Sequence, residues 1–489
     1  MLSVERRIYD NSVRHQEKAA IIDAVSGAVV TYAELWRQIE SAATWYRRQG
    51  LVAGDRVLLS ASKDTLFIPA YFGLHMAGMT AVPIDPETNT DRLKLIMELS
   101  APKLCIGTLR NASGIEIRSF NDIDFTDMDT SFGFPEGESI SDILFTTGTT
   151  GLAKGVALTA DNEAAAADNI NTFIGNGPED VELIALPISH SFGLGRLRCV
   201  LASGGTVVLL AGFASMKKFY KSLEDYKVTG FGMVPASWAY ISKMSGDRLG
   251  QYASTLRYIE MGSAPLPLEE KQHLMRLLPD TRICMHYGLT EASRSAFIEF
   301  HSDKAHIDTA GKAAPNVEIA IFSPDGEKQE SDTDGEVCVK GAHVCDSYWG
   351  QTEEYFRKDF FGEWFRTGDW GSMSKDGWLS LKGRNKEMIN VGGKKVNPLE
   401  VEQKLLQIEG ITDCACVASP DPVFGEVVKA CIVASEAISD ASIKEGLSKE
   451  LENYKQPAII ERVREIPRTS SGKIQRLKLK ERVLNNGDN

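Results

Sequence analysis

The chain has 489 residues, 43% of them hydrophobic and 25% charged, so it can bury a sizeable core without disulfides or structural metals. Its 67 acidic residues outnumber its 54 basic ones, which gives a formal net charge of −13. A surface this acidic repels nucleic acid and anionic lipid, so neither is expected as a principal partner. No apolar run reaches the roughly 18 residues that a membrane-spanning helix needs, and the charged first segment is unlike a secretory signal. We therefore expect a cytoplasmic protein.

Helices and strands alternate along the first part of the chain. A helix is predicted over 31–50, because Thr31 and Glu34 form a capping box and Gly50 supplies a left-handed end. Short apolar runs typical of buried strands then alternate with helical segments; they cover 56–60, 183–187, 206–210, 230–234 and 257–261. This alternation favours an α/β architecture in which helices cover the sheets.

The pattern of apolar and polar residues changes from about residue 317. Asp-Gly pairs at 325–326, 334–335 and 376–377 separate short alternating runs and predict β-hairpins. Further on, Asn397 and Pro398 predict the start of a helix that Gly410 ends. Strands over 414–418 and 427–434 and a helix over 441–454 complete a small α+β domain.

We therefore predict two domains. Residues 1–383 form a large layered N-terminal domain, with helix-flanked sheets and a small β-barrel-like part, and residues 384–489 form a small α+β C-terminal domain. The eight cysteines mostly lie in apolar runs, and the close pair Cys414 and Cys416 alternates along a predicted strand. We expect buried, reduced thiols rather than a metal site.

The densest chemical pattern is the sequence TTGTTGLAKG at 146–155. Its glycines let the backbone approach an anion, while the threonine hydroxyls and a lysine can donate to it. We predict a phosphate-binding loop; the alternative is a surface hairpin rich in turn residues. The predicted ligands are Thr146, Thr147, Gly148, Thr149, Thr150, Gly151 and Lys154. Ala153 and Gly155 stand where a Walker A loop needs Gly and Ser or Thr, which disfavours a P-loop kinase or GTPase.

This segment resembles the phosphate loop of the adenylate-forming superfamily, which comprises acyl- and aryl-CoA synthetases, peptide-synthetase adenylation domains and firefly-type luciferases. Four further segments resemble motifs of that superfamily in the same order: HYGLTE at 286–291, RTGD at 366–369, GRNK at 383–386 and PRTSSGK at 467–473. The resemblance implies a mobile C-terminal domain. It also implies activation of a carboxylic acid by ATP as an acyl-adenylate, with release of pyrophosphate, and then transfer of the acyl group to a thiol.

The resemblance implies ATP-binding roles for residues before 300. Glu291 would hold Mg²⁺ through a hard carboxylate oxygen, Thr290 would contact the α-phosphate, and Tyr287 would offer an aromatic face to adenine. A second loop would line the adenine site with its backbone; it consists of Gly262, Ser263, Ala264 and Pro265. The structural alternative for Glu291 is an ordinary carboxylate in the first turn of a helix.

Other roles fall on residues after 365. Asp369 would accept hydrogen bonds from the ribose hydroxyls, with Arg384 supporting the same sugar, although Asp369 could instead cap a turn. Lys473 would bridge the substrate carboxylate and the α-phosphate, and Lys386 matches the hinge of the mobile domain. Residues that would line the approach of the thiol are Gly392 and Gly393, for which a plain turn is the alternative.

The segment 186–193 resembles the border of the acyl pocket, and His190 matches the residue that gates it. The segment contains no acidic residue to pair an ammonium group, so we predict a carboxylic acid substrate without an α-amino group. Arg196 and Arg294 lie close in sequence to these motifs. Either could pair a second carboxylate on the substrate, or both could make structural ion pairs.

Three hypotheses for the function stay open. The first is a CoA ligase that uses ATP, Mg²⁺ and coenzyme A. The second is the same adenylation followed by transfer to the phosphopantetheine of an acyl carrier protein. The third is a non-catalytic nucleotide-binding protein, against which the joint presence of Lys473, Glu291 and Asp369 counts. Nothing in the sequence separates the first two.

Overall fold

A computed structural model describes residues 1–109, 114–128, 132–147, 153–435, 438–468 and 474–485. The chain forms two compact units. The first combines Met1–Ile319 with Val339–Phe365, and the second combines Ala320–Cys338 with Arg366–Asn489.

The α-helices within the described residues are α1 Val4–Arg14, α2 Tyr32–Arg48, α3 Phe67–Met76, α4 Thr90–Ser100, α5 Ala160–Ile174, α6 Ser191–Ser203, α7 Met216–Asp225, α8 Pro235–Ser245, α9 Leu268–Leu277, α10 Glu353–Arg357, α11 Pro398–Leu406, α12 Asp440–Ser448 and α13 Arg476–Asn485.

The strands are β1 Ala19–Asp23, β2 Val29–Thr31, β3 Arg56–Ser60, β4 Thr80–Ile84, β5 Leu104–Ile106, β6 Ile117–Arg118, β7 Ile140–Thr147, β8 Ala153–Thr159, β9 Val181–Ile184, β10 Thr206–Leu209, β11 Gly230–Met233, β12 Tyr258–Met261, β13 Arg282–Tyr287, β14 Ala296–Glu299, β15 Lys312–Ala313, β16 Glu318–Phe322, β17 Gly335–Lys340, β18 Ser347–Tyr348, β19 Phe360–Phe361, β20 Trp364–Met373, β21 Leu379–Arg384, β22 Ile389–Val391, β23 Lys394–Val396, β24 Ile411–Asp421, β25 Gly425–Ala434 and β26 Ile459–Arg462.

A nine-stranded sheet dominates the first unit, in the order β15-β14-β13-β12-β11-β9-β10-β1-β2. Its central strands β13, β12, β11, β9 and β10 are all parallel. The residues of β9, β10, β11 and β12 are almost wholly buried, as expected for a parallel sheet covered by helices on both faces. The carboxyl ends of these strands therefore meet at one edge, where α/β proteins usually bind ligands.

A seven-stranded sheet also belongs to the first unit, in the order β18-β8-β7-β4-β3-β5-β6. Strand β3 runs parallel to β4 and β4 runs parallel to β7, so these three strands also share a carboxyl edge. Strands β7 and β8 form an antiparallel pair. Strand β7 ends at Thr147, so this described residue of the predicted phosphate loop lies at the carboxyl edge.

Local sequence explains several boundaries in the first unit. The capping box predicted from Thr31 and Glu34 is present at the start of α2. The predicted strand over 56–60 coincides with β3, and those over 206–210, 230–234 and 257–261 match β10, β11 and β12 to within one residue. Strand β9 begins two residues earlier and ends three earlier than predicted, because the chain turns at 186–190 before α6.

The second unit contains most of a five-stranded sheet in the order β16-β17-β20-β19, with β21 paired to β20. This is the region for which the Asp-Gly pairs predict hairpins. Another five-stranded sheet has the order β23-β22-β25-β24, with β26 paired to β25. It packs on α11 and α12 through a core that includes Val401, Leu405 and Ile443.

Two predictions for the second unit have clear outcomes. Asn397 caps α11 and Pro398 is its first residue, as predicted, but the helix ends at Leu406, four residues before the predicted end at Gly410. Helix α12 ends at Ser448 instead of residue 454, because the N–H groups of Lys449 and Glu450 bond carbonyls three residues back and tighten the last turn, after which Leu451 enters the core. All eight cysteines are buried and free, which confirms the expected reduced thiols. None of the helices described is long and apolar enough to cross a membrane.

Candidate active site

Three predicted segments follow neighbouring parallel strands and lie at one edge of the nine-stranded sheet. The loop 262–265 follows β12, the loop 288–291 follows β13, and the segment 186–193 begins two residues after the end of β9. Met261 pairs with Met285 across β12 and β13, and Phe231 of the intervening strand β11 pairs with Leu183 of β9. The fold thus brings the predicted adenine, metal and acid segments to one edge of the molecule.

The loop after β13 is held by its own backbone. The Leu289 N–H donates to the Ala292 carbonyl at 3.0 Å, and the Cys345 N–H donates to the Glu291 carbonyl at 2.8 Å. The side chains of Tyr287, Thr290 and Glu291 are half-buried. No helix follows Glu291, since the next element is β14, so the alternative of a first-turn helix carboxylate is wrong.

The loop 262–265 is shaped by two close constraints. A Cβ at Gly262 would lie 2.1 Å from Nε2 of His286, so only glycine fits there. Ser263 has a φ of +73°, a left-handed conformation that costs an L-residue about 1–3 kcal/mol and clusters at functional sites. Ala264 is half-buried and Pro265 is exposed. The loop therefore has a fixed backbone beside Tyr287.

A buried group of charges lies beneath this edge. Oε1 of Glu260 lies 2.6 Å from Nδ1 of His286 and 3.1 Å from Nε of Arg294, and Oε2 lies 3.3 Å from a guanidinium nitrogen of Arg196. Arg196 also pairs with Glu182. Burial opposes ionisation of Glu260, but Arg294, His286 and Arg196 together outweigh it, so the pKa of Glu260 lies well below its usual range.

Arg294 also connects the loop 288–291, which we call the metal loop, to the segment 186–193, which we call the acid segment. Its guanidinium donates to the carbonyls of Ser191 and Phe192, both at 2.9 Å, and its own φ is +56°. Arg294 and Arg196 are 2% and 0% exposed. Their donors serve internal partners, so of the two alternatives the structure supports structural ion pairs over binding of a substrate carboxylate.

His190 stands directly before the N-terminus of α6. It is the N-cap residue in an extended conformation, its side chain makes no capping bond, and it is half-buried. Two residues on, the Phe192 ring meets the His286 ring edge-on at 4.6 Å. The acid segment is thus in contact, through aromatic packing, with β13, the strand that leads into the metal loop.

Part of the predicted phosphate loop is visible. Thr146 pairs with Lys154 across the β7–β8 ladder, and Thr147 is the last residue of β7. Nζ of Lys154 lies 3.4 Å from Asp359 and 4.3 Å from the centre of the Tyr348 ring. Gly148, Thr149, Thr150 and Gly151 lie outside the described residues.

In the second unit, Asp369 and Arg384 form the predicted pair. They are cross-strand partners on β20 and β21, and Nε of Arg384 lies 2.8 Å from Oδ1 of Asp369. Arg384 also donates to the Thr367 carbonyl at 3.0 Å. Asp369 lies inside a strand, so the alternative of a turn cap is wrong.

The other predicted residues of the second unit have defined places or lie outside the described chain. Lys386 lies in a 3₁₀ turn over Asn385–Glu387. Gly392 and Gly393 form the turn between β22 and β23 with φ values of +56° and +86°, so both use the left-handed conformation that glycine favours. Lys473 lies outside the described residues.

Two residues that contact these segments, Glu260 and Lys63, were not predicted from the sequence. Glu260 interrupts an otherwise apolar strand, which was a usable signal of a buried charge. Lys63 follows β3 in an ordinary polar loop, yet its side chain donates to the Leu186 carbonyl of the acid segment. No local pattern distinguishes Lys63 from a solvated lysine.

No group of three or more His, Cys, Asp and Glu side chains that could hold a metal occurs in the part of the chain that is described. Glu291 supplies a half-buried carboxylate in a loop with a fixed backbone. Magnesium at nucleotide sites is commonly bound by one or two carboxylates together with phosphate oxygens, so this residue fits such an ion.

Known proteins place the chain in context. The model of a family described as AMP-binding enzyme matches residues 8–349, and one described as AMP-binding enzyme C-terminal domain matches residues 400–473. A feruloyl-CoA synthase of an Amycolatopsis species is 29% identical over 92% of this chain and 93% of its own length. A sulfoacetate–CoA ligase of Cupriavidus necator is 32% identical over 71% of this chain and 67% of its own.

The fold is similar to that of solved structures. The crystal structure of ATP-bound MatB from Rhodopseudomonas palustris superimposes with a TM-score of 0.90 at 24% identity, and the match covers 98% of each chain. This similarity confirms the predicted α/β class with a large N-terminal and a small C-terminal part.

Proposed function

The chain belongs to the AMP-binding enzyme family, and from this membership we propose how its residues carry out ATP-dependent ligation of a carboxylic acid to coenzyme A. The reaction has two halves. The acid carboxylate attacks the α-phosphate of ATP, giving an acyl-adenylate and pyrophosphate. The thiol of coenzyme A then attacks the acyl carbon, and AMP leaves.

One observation supports the assignment most strongly. The loops 262–265 and 288–291 and the segment 186–193 follow neighbouring strands at the carboxyl edge of one parallel sheet. Adenylation needs a nucleotide, a metal and an acid at a single place, and these are the segments assigned to those three ligands. A non-catalytic nucleotide-binding protein would not need the acid segment there.

In the first half-reaction, Tyr287 and the backbone of 262–265 would bind adenine and Thr290 would orient the α-phosphate. The loop 146–154 would bind the phosphates, with Lys154 supplying positive charge. Glu291 would hold Mg²⁺, which neutralises charge on the leaving pyrophosphate when bound. His190 would border the carboxylate of the acid.

The resemblance also implies roles in the reaction for residues of the second unit. The Asp369 carboxylate would accept hydrogen bonds from the ribose hydroxyls. Its ion pair with Arg384 supports this role, because the pair fixes the orientation of the carboxylate. Lys473 would place its ammonium between the attacking carboxylate and the α-phosphate. We propose that residues 384–489 then rotate about Lys386 relative to residues 1–383, so that the lysine leaves and the turn Gly392–Gly393 lines the approach of the thiol.

The class of acid and the cellular location of the protein are predictions from the sequence. The segment 186–193 contains no acidic side chain to pair an ammonium group, which supports an acid without an α-amino group. The names of the relatives include an aromatic acid and a sulfonated one, so they do not select the acid. A carrier protein in place of coenzyme A stays the alternative acceptor, and a cytoplasmic location stays a prediction from the sequence.

The test is acid-dependent exchange of pyrophosphate into ATP, followed by addition of coenzyme A or of a carrier protein bearing phosphopantetheine. We expect exchange with at least one acid of a panel of aryl, short-chain and long-chain acids, and a CoA thioester with release of AMP. ATP binding without exchange for any acid would favour a non-catalytic protein. A thioester that forms with the carrier protein but not with coenzyme A would favour the carrier protein as the acceptor.

A further inference from the structure

Lys63 occupies an unusual position at the carboxyl edge of the seven-stranded sheet. It lies three residues beyond the end of β3, whose last residue Ser60 pairs with Ile84 of β4. Strand β4 is in turn the parallel neighbour of β7, which leads into the phosphate loop. Lys63 is therefore at the edge of this sheet that also carries the phosphate loop.

The side chain of Lys63 reaches the acid segment. Its ammonium donates to the main-chain carbonyl of Leu186, four residues before His190. The side chain of Leu186 packs over Gly232 of β11, next to the Phe192 ring. A Cβ at Gly232 would lie 3.0 Å from the Leu186 side chain and 3.3 Å from that ring. The positive charge of Lys63 is therefore next to the segment assigned to the acid.

The charge has no counter-ion among the residues described. Lys63 retains part of its accessible surface, but its ammonium end is enclosed by protein atoms, and that burial lowers its pKa to about 7. The carbonyl of Leu186 is the one hydrogen-bond partner of this ammonium in the described chain, and no carboxylate there pairs with it. The adjacent Asp64 instead accepts from the Leu66 N–H at 2.9 Å.

Enclosed lysines are normally paired, because an enclosed charge without a partner is costly. Arg196 and Arg294 illustrate the usual arrangement in the same region, as each contacts a buried carboxylate. Lys63 has no such carboxylate among the residues described, and an anion brought by a ligand would supply that partner. The phosphates of coenzyme A are separated from its thiol by the whole pantetheine arm, whereas the acid itself lies at the segment 186–190 in the proposed function.

We propose that Lys63 is a specificity residue that binds a second anionic group on the acid substrate, so that this ligase prefers an acid carrying a further carboxylate or sulfonate. The inference rests on the proposed function, because it assigns the segment 186–190 to the acid. The reacting carboxylate would lie toward His190, and the second anionic group would accept hydrogen bonds from the ammonium of Lys63.

The test compares matched acids in pyrophosphate exchange without coenzyme A. The pairs are acetate with sulfoacetate, butanoate with succinate, and benzoate with isophthalate. For the wild-type enzyme we expect a higher kcat/KM with the second member of at least one pair. Lys63→Met should reduce that kcat/KM about ten-fold or more, as expected for loss of a charge-assisted hydrogen bond. It should change the value for the monoanionic partner less than two-fold, and Lys63→Arg should restore much of the preference.

Lys18 provides a matched control. It also donates to a backbone carbonyl, that of Gly204 at 2.6 Å, beyond the opposite end of α6. That helix has 13 residues, so at about 1.5 Å per residue its two ends are about 20 Å apart. Lys18→Met should leave the preference between paired acids unchanged.

The outcomes separate this inference from the proposed function. Exchange by the wild type with an equal effect of Lys63→Met on both members of every pair would overturn the role of Lys63 and leave the ligase assignment intact. If Lys63→Met left exchange unchanged with every acid and altered only the KM of coenzyme A in the complete reaction, this would also overturn it, since the anion would then belong to the thiol substrate. Absence of exchange with any acid would overturn both.

Discussion

Nε of Arg294 lies 3.1 Å from Oε1 of Glu260, and the same guanidinium donates to the carbonyls of Ser191 and Phe192. One side chain therefore joins the loop after Glu291 to the first turn of α6, directly beyond His190. The buried pair of Arg294 and Glu260 therefore fixes the position of the metal loop relative to the acid segment, although the two are far apart in sequence.

This pair should matter for stability. Arg294→Gln leaves Glu260 buried with a weakened set of partners, and breaking a buried ion pair in this way typically costs about 3–5 kcal/mol. We expect a loss of that size in the free energy of unfolding measured by urea titration. Lys340→Ala, which breaks an exposed pair with Glu363, should leave the unfolding midpoint unchanged. An equally small effect for Arg294→Gln would contradict the role given to the pair.

Glu291→Gln should separate metal binding from nucleotide binding. The amide keeps the size of the side chain but removes the charge that a hard cation requires. We expect pyrophosphate exchange to fall about 100-fold and the Mg²⁺ concentration at half-maximal exchange to rise. Titration calorimetry with ATP in the absence of Mg²⁺ should give the same affinity for the variant and the wild type. An unchanged Mg²⁺ dependence would remove Glu291 from the metal site.

The acid preference should depend on pH if Lys63 binds the second anionic group. Burial lowers the pKa of Lys63 to about 7, so the ammonium is charged below that pH and neutral above it. The ratio of kcat/KM for sulfoacetate to that for acetate should therefore fall as the pH rises through about 7 and level off near the ratio measured for Lys63→Met. The sulfonate stays ionised throughout, so the substrate contributes no titration of its own. A ratio constant from pH 6 to 9 would argue against a lysine with this pKa.

Lys473→Ala should distinguish the two half-reactions. The lysine is proposed to act on the attacking carboxylate and the α-phosphate, and to move away before the thiol enters. We expect acid-dependent exchange to be nearly abolished, while CoA thioester formation from a supplied acyl-adenylate is largely retained. Arg476→Gln offers a comparison, because Arg476 is held by Glu387 and Glu402 and should affect folding more than either half-reaction. Equal losses in both half-reactions for Lys473→Ala would contradict its assignment.

Much of the fold could be predicted from local sequence. Apolar runs and caps located β3, β10, β11 and the start of α2 within about a residue, because these boundaries depend on side chains close in sequence. The end of α12 could not be predicted in this way. It depends on Leu451 reaching a core built from distant strands.

The same distinction applies to the site. Residues carried by contiguous motifs, such as Tyr287 and Asp369, could be named from the sequence alone. The internal roles of Arg196 and Arg294 could not be decided, because their partners Glu182 and Glu260 belong to other strands. Lys63 gave no signal, since its enclosure depends on the contact of its loop with Leu186, more than 100 residues away.

The central claim is that this chain joins an acid to coenzyme A through an acyl-adenylate. Its most direct test is a single reaction with ATP, Mg²⁺, coenzyme A and the acid that gives the fastest pyrophosphate exchange, analysed by mass spectrometry. We predict one CoA thioester and one AMP for each ATP consumed, with the acyl-adenylate accumulating when coenzyme A is omitted. Thioester formation accompanied by ADP and phosphate, or no acyl-adenylate under any condition, would contradict the account.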